Sequence, residues 1–281
     1  MRHISLDQIY IPEEWEDHAK ELLDKLRLMP HIERSKALRK DTDYQVWTLL
    51  SPVLKGISHG KCYYTEAYIG DGGEIDHFRP KLRVQKCDLP EGSQHQGYWW
   101  LTYIIENFRL CKELANKRRT SRRDGKIYGK GNRFPLADPI KRAVNERDDW
   151  KNEPTLLLDP ANQDDVKLLR FDDSGNPIPL NSDPITLKRV QVSIECYHLT
   201  EKDISDRRGN LCTRAKRMAL RVIDLEKKKS RKEPYNRREM IEKKAELYEM
   251  VQPYAEFSSA VRCVLLQYRS STSIKRVLGI K

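Results

Sequence analysis

Asp76 and His77 stand side by side in a chain of 281 residues, with Asn107 and Asn116 following at intervals. Hydrolysis of a phosphodiester needs a base to deprotonate water, a cation to stabilise charge on the phosphorane-like transition state, and a group that fixes the base. An imidazole accepts a proton near neutral pH, and Asp and Asn offer the hard oxygens that Mg²⁺ prefers. These four residues therefore form a candidate set for metal-assisted phosphodiester cleavage. Each also has a plainer reading. A lone histidine is more often structural, Asp76 can be a turn acceptor, Asn116 can cap a helix N-terminus, and Asn107 can bond backbone groups whatever the activity.

The stretches Lys61 to Glu66, Ile75 to Lys81, Tyr98 to Leu101, Glu106 to Phe108, Asn116 and Lys130 to Leu136 resemble the HNH (ββα-metal) nuclease superfamily, and within it the PtuB family of Septu-type anti-phage systems. The resemblance runs from about Trp47 to Leu136, and is fainter at 156–160 and 170–172. It implies that His77 is the general base, that Asp76 and Asn116 are ligands of a catalytic Mg²⁺ or Mn²⁺, and that Asn107 holds the two strands and orients His77. It places Asn116 at the start of the α-element. It also implies an endonuclease acting on nucleic acid, in first place double-stranded DNA, as the effector of a prokaryotic defence complex with an ABC-type ATPase subunit. The alternative in the same frame is an inactive nucleic-acid-binding or interaction subunit.

Relatives carry two CxxC pairs around a structural zinc. Here those four places hold Cys62, Thr65, Lys112 and Ala115, with Cys111 one residue out of register, so no structural zinc is expected.

Around the site, the aromatic and β-branched residues from Lys61 to Phe78, broken by Gly70 to Gly73, predict two short strands around a tight turn, the second being 74–78. Helical spacing is expected over 13–29 and over 41–57, despite Pro52. Tyr98 to Ile105 is apolar on nearly every side and should be buried, with Trp99 and Trp100 as core anchors rather than base-stacking platforms. Residues 117 to 133 hold Lys117, Arg118, Arg119, Arg122, Arg123, Lys126, Lys130 and Arg133, which predicts a helix end followed by a flexible basic loop. Arg79, Lys81, Lys117, Arg118 and Arg119 are the candidate phosphate contacts; such contacts attract nucleic acid without reading sequence.

The expected fold class is α+β, mostly helical. A helical N-terminal region (1–60) precedes an HNH core with a basic loop (61–137). A loop-rich extension with a strand or two (138–200) follows, with turn signals at Asp159-Pro160 and Asp183-Pro184. A helical C-terminal region (201–281) completes the chain, with Leu211, Ala215, Met218, Val222 and Leu225 on one face, and Phe257, Val261, Val264, Leu265 and Tyr268 on another.

Lys and Arg outnumber Asp and Glu by 53 to 42, a net charge of +11 that favours a polyanionic partner. No apolar run approaches a membrane span, so no membrane partner is expected. The start shows no signal-peptide pattern, and the six cysteines lack disulfide-framework spacing; both point to a reduced, cytoplasmic setting. Glycine motifs for nucleotide phosphates are absent from the sequence.

Overall fold

The computed structural model describes residues 1–7, 9–120 and 125–280. Helix dominates, and the strands are few and short. Helix α1 (Glu13–Leu28) buries Trp15, Ala19, Leu22 and Leu26 on one stripe, with Glu13, Glu14 and Glu16 in its first turn and Lys25 and Arg27 in its last, matching the helix dipole. Pro30 opens α2 (His31–Lys40), which anchors itself through one buried residue, Leu38. The helix expected over 41–57 is divided. Tight 3-10 turns run through Val46–Leu50, and a true helix, α3, begins only at Ser51–Ser58, where Pro52 sits in the first turn and its missing N–H costs nothing.

Strand β1 (Glu74–His77) does not pair with the residues just before the glycine turn. Its partner is β2 (Phe108–Cys111), antiparallel, with Asp76 opposite Arg109 and His77 opposite Phe108. Residues 60–69 instead fold partly on themselves, with an isolated bridge between Lys61 and Tyr68 and a Cys62 N–H donated to Ala67 O, and they meet β2 through a Tyr63 N–H donated to Leu110 O. A four-residue helix, α4 (Glu113–Asn116), follows β2 directly. In the basic stretch, β3 (Arg119–Thr120) pairs antiparallel with β4 (Ile127–Tyr128); residues 121–124, with Arg122 and Arg123 of the expected flexible loop, lie outside the described residues.

The extension is more helical than its turn signals suggested. Asn162 accepts from Asp164 N and Asp165 N to cap α5 (Gln163–Leu168), which leads into the pair β5 (Leu169–Phe171) and β6 (Pro177–Pro179). Asp183-Pro184, read as a turn, is the N-cap and first residue of α6 (Pro184–Cys196): the Asp183 carboxylate accepts from Thr186 N. The long α7 (Lys202–Ser230), α8 (Arg237–Met250), α9 (Ser258–Leu266) and α10 (Thr272–Leu278) form the C-terminal bundle.

One core runs from α1 through the β1–β2 unit to Cys212 and Val264, and a second, around Val222, Leu247, Val261 and Ile274, closes the bundle. Helices α7 and α9 contribute to both, so they tie the bundle to the strands. No helix among the described residues is long and apolar enough to cross a membrane.

Candidate active site

His77 ends β1, where strand alternation relaxes, and it lines the same open cleft as its neighbour Asp76. The cleft measures about 550 Å³ and is also walled by Glu74, Asn116, Lys81, Arg83, Lys117 and Arg118.

The imidazole is held from three sides. Trp47 and Phe108 meet it edge-on, with ring centroids at 4.9 and 5.2 Å. Its Nε2 lies 2.9 Å from the carbonyl oxygen of Thr102. A carbonyl only accepts, so Nε2 carries the proton and the lone pair of the neutral ring sits on Nδ1. Nδ1 faces Lys81 Nζ at 3.4 Å. Burial, reinforced by the positive charges of Lys81 and Lys130 and opposed by the Thr102 bond, holds the His77 pKa well below the usual imidazole range. Burial also lowers the Lys81 ammonium to about 8, with Lys130 adding to the effect and Asp76 opposing it. Lys81 Nζ lies 4.3 Å from the ring centroid of Trp47.

Asp76 is held as firmly. Tyr64 donates to Oδ2 at 2.6 Å, and Lys130 Nζ reaches Oδ1 at 3.1 Å and Oδ2 at 3.0 Å while also donating to His77 O at 2.9 Å. Burial and the Asp76 charge raise the Tyr64 phenol well above its ordinary pKa, so it remains a donor. Lys130 is wholly buried and stays out of the cleft wall. Its backbone is pinned under α4 by Lys130 N to Ala115 O. The preceding Gly129 has φ +95°, and a Cβ there would stand 2.2 Å from Lys117 O; this close approach requires glycine.

Asn107 does not enter the cleft. Its Oδ1 accepts from Arg79 N at 2.7 Å, and its Nδ2 donates to Arg79 O at 3.0 Å and Leu101 O at 3.3 Å. It joins the chain leaving β1 to the chain entering β2; the direct hydrogen bond that orients His77 comes from Thr102. Asn116 lies at the end of α4, not at its start, and its Nδ2 donates to Glu74 Oε2 at 3.0 Å.

Of the five candidate cations, Lys81, Lys117 and Arg118 line the cleft. Lys117 is paired with Glu74 at 2.8 Å, while Arg118 has a buried Nη1 with no hydrogen-bond partner among the described residues. Arg119 is paired with Glu113 outside the cleft. Arg79 is buried, ion-paired with Glu153 at 2.7 Å and stacked against Phe134 and Trp150, so its guanidinium ties the core of residues 134–153 to β1. Trp100 is buried, and Trp99 carries the Arg34 guanidinium over its ring.

Glu74, Asp76 and Asn116 bring side-chain oxygens, the donor type a hard divalent cation takes, to this cleft, where both carboxylates are already hydrogen-bonded or ion-paired. Glu74 and Asp76, two residues apart on β1, share a strand face, and the Asn116 side chain is bonded to the first of them. A cation held at Asp76 would share that carboxylate with Lys130, which approaches from the buried side. Among the described residues no three His, Cys, Asp or Glu side chains are grouped to hold a metal ion. All six cysteines are free thiols; Cys62 Sγ accepts from Lys112 N at 3.4 Å, and Cys111 Sγ donates to Glu74 O.

Sequence reasoning missed Tyr64, Thr102, Lys130 and Glu74. For Glu74 the i, i+2 relation to Asp76 was a usable signal. Lys130 opens one of the stretches that carry the resemblance, but a lysine among basic residues reads as solvated, so no role was assigned to it. Comparison with protein-family models yields no match, and comparison with curated proteins yields none.

Proposed function

We propose that this chain is a divalent-metal-dependent endonuclease of the HNH type, hydrolysing phosphodiester bonds of DNA. The observation that carries the reading is the tautomer of His77: the Thr102 carbonyl holds the proton on Nε2 and leaves the lone pair on Nδ1, beside Asp76 and four cations, Lys81, Arg83, Lys117 and Arg118, in one open cleft. In this reading the neutral imidazole takes a proton from water at Nδ1. Lys81 and Arg118 hold the phosphate oxygens, and the orphaned Nη1 of Arg118 is a donor suited to an anion. Lys81 must swing from Nδ1 toward the phosphate to admit the water, a motion its four-carbon stem allows. Asp76, with Asn116 and Glu74, would hold Mg²⁺ or Mn²⁺, which supplies charge stabilisation on the pentavalent phosphorus oxygens. A cation with few protein ligands keeps several waters and is weakly held, as Mg²⁺ commonly is.

The role in anti-phage defence and the ABC-type ATPase partner rest on the resemblance alone. An inactive binding subunit is the second reading, favoured by one observation: Lys130 and Tyr64 already engage both oxygens of Asp76. Purified protein incubated with plasmid and Mg²⁺ or Mn²⁺ separates the two. Cleavage that stops in EDTA and falls by about 10² or more in His77→Ala supports the enzyme. No cleavage by the wild type, alone and with any ABC-type ATPase found encoded beside it, would favour the binding subunit.

A further inference from the structure

A second cleft, of about 670 Å³, opens between α2 and residues 82–96. Lys36, Arg39 and Lys40 of α2 line it from one side, and Arg83 and Lys86 from the other. All five are exposed, no Asp or Glu lines the cleft, and none of the five forms an ion pair among the described residues. Cations on nearby surfaces behave differently: Lys20, Arg27, Lys117 and Arg119 each sit against a carboxylate.

Helix α2 presents this charge from a fixed position. Lys36, Arg39 and Lys40 stand at i, i+3 and i+4 and so share one face. The helix is held by Leu38 beneath and by Arg34, whose guanidinium covers Trp99 at 3.8 Å and donates to Leu26 O and Met29 O. Like charges gathered in a concave, low-dielectric wall repel one another and focus a positive potential outward, so a polyanion is the ligand that relieves them. A single phosphate would meet one or two of these cations; a run of regularly spaced phosphates meets them all.

The second cleft is also continuous with the first. Leu82, Arg83 and Gln85 belong to the walls of both, so cationic surface extends from Lys81 and Arg118 across Arg83 to α2. We propose that this groove is the track of the substrate's phosphodiester backbone: the strand cut at His77 leaves the cleft over Arg83 and lies along Lys36, Arg39 and Lys40. The inference rests on the nuclease reading and adds where the substrate lies beyond the reacting phosphate. Lysine and arginine side chains of this kind position a backbone without reading bases.

The test is the triple variant Lys36→Ala, Arg39→Ala, Lys40→Ala in the full chain; the three residues are exposed and Ala favours helix, so a melting curve should match the wild type. Binding to short DNA and RNA duplexes is followed by fluorescence anisotropy over a range of salt in EDTA, where no metal-dependent turnover occurs. The expected result is a log K against log[salt] slope shallower by roughly 2–3 on DNA, at about 0.9 for each phosphate that is no longer neutralised. Plasmid cleavage by the variant should show a raised KM and an unchanged kcat. A slope that falls on RNA alone would keep the track and make RNA its occupant. An unchanged slope on both duplexes, with the wild type still cutting plasmid, would overturn the track and leave the nuclease reading standing. A shallower slope in a protein that never cleaves would remove the nuclease and with it the cut strand, and leave the groove as a backbone-binding surface.

Discussion

The ammonium of Lys130 lies 3.0 Å from Asp76 Oδ2 and 3.1 Å from Oδ1, with the lysine side chain wholly out of water and the aspartate nearly so. Two charges so placed are each costly to desolvate and tolerable only together. Lys130→Met therefore should destabilise the protein by about 3–5 kcal/mol in urea denaturation, because it strands a buried carboxylate. Adding Asp76→Asn should recover part of that loss, since the stranded charge is then gone. If Lys130→Met is as stable as the wild type, the pair is not what secures the floor of the cleft.

Asn107 makes three buried hydrogen bonds, two to the backbone of Arg79 beyond β1 and one to Leu101 O. Asn107→Ala should cost about 2–4 kcal/mol, the sum of the broken bonds and the polar groups left without partners. Asn107→Asp should not restore it, since a carboxylate can accept from Arg79 N but sets negative charge against the carbonyls of Arg79 and Leu101. Cleavage should fall in both variants because His77 is displaced. Thermal melting, read beside initial rates, checks the two effects; a full-rate Asn107→Ala would show that His77 is positioned without it.

The pH dependence near neutrality follows from two of the shifted groups at the site, His77 and Lys81. An unfolded imidazole takes up a proton near pH 6.5, whereas buried His77 does so only far lower, so the unfolded state binds more protons in that window. Stability should then fall as pH drops below 6.5, by up to about 1.4 kcal/mol per unit, and His77→Gln should flatten the trend. The acid limb of the cleavage profile should lie below 6.5, where the base is finally protonated. On the alkaline side Lys81 loses its charge near 8, and with it the hold on phosphate. Lys81→Arg, whose charge persists, should move that limb upward; a limb that stays in place assigns it to another group.

Metal should matter for turnover and little for folding. The β1–β2 unit is closed by packing of Phe78, Tyr98, Phe108 and Phe134, and by Cys62 and Cys111 as buried thiols. Metal analysis should find no stoichiometric zinc, and EDTA should abolish cleavage while moving Tm by no more than about 2 °C, as for a weakly bound ion. About one zinc per chain with a melting transition that collapses on chelation would show that the fold has found other ligands.

Local pattern alone located much of this molecule. The period of apolar residues marked α1 and the inner faces of α7 and α9, because helical geometry repeats over a few residues and needs no distant partner. Residue types together with the resemblance singled out Asp76, His77 and Asn116, which line one cleft, and Asn107, which does not. What the sequence could not decide was everything set by chain segments far apart. Strand β1 pairs with Phe108–Cys111, while 60–69 bonds partly within itself and through Tyr63 N–H to Leu110 O of β2, and hairpin proximity could not reveal that. Asp183-Pro184 reads equally as a turn or a helix start until the packing of α6 favours one. Arg79 and Lys81 are two residues apart in the same basic motif, yet one is closed into the core by Glu153 and the other faces His77. Lys130 became a buried counter-charge only because the chain returns beneath α4 to bring it to Asp76, 54 residues away. Burial decides whether a charged residue is solvated, paired or poised for chemistry, and burial belongs to the tertiary structure.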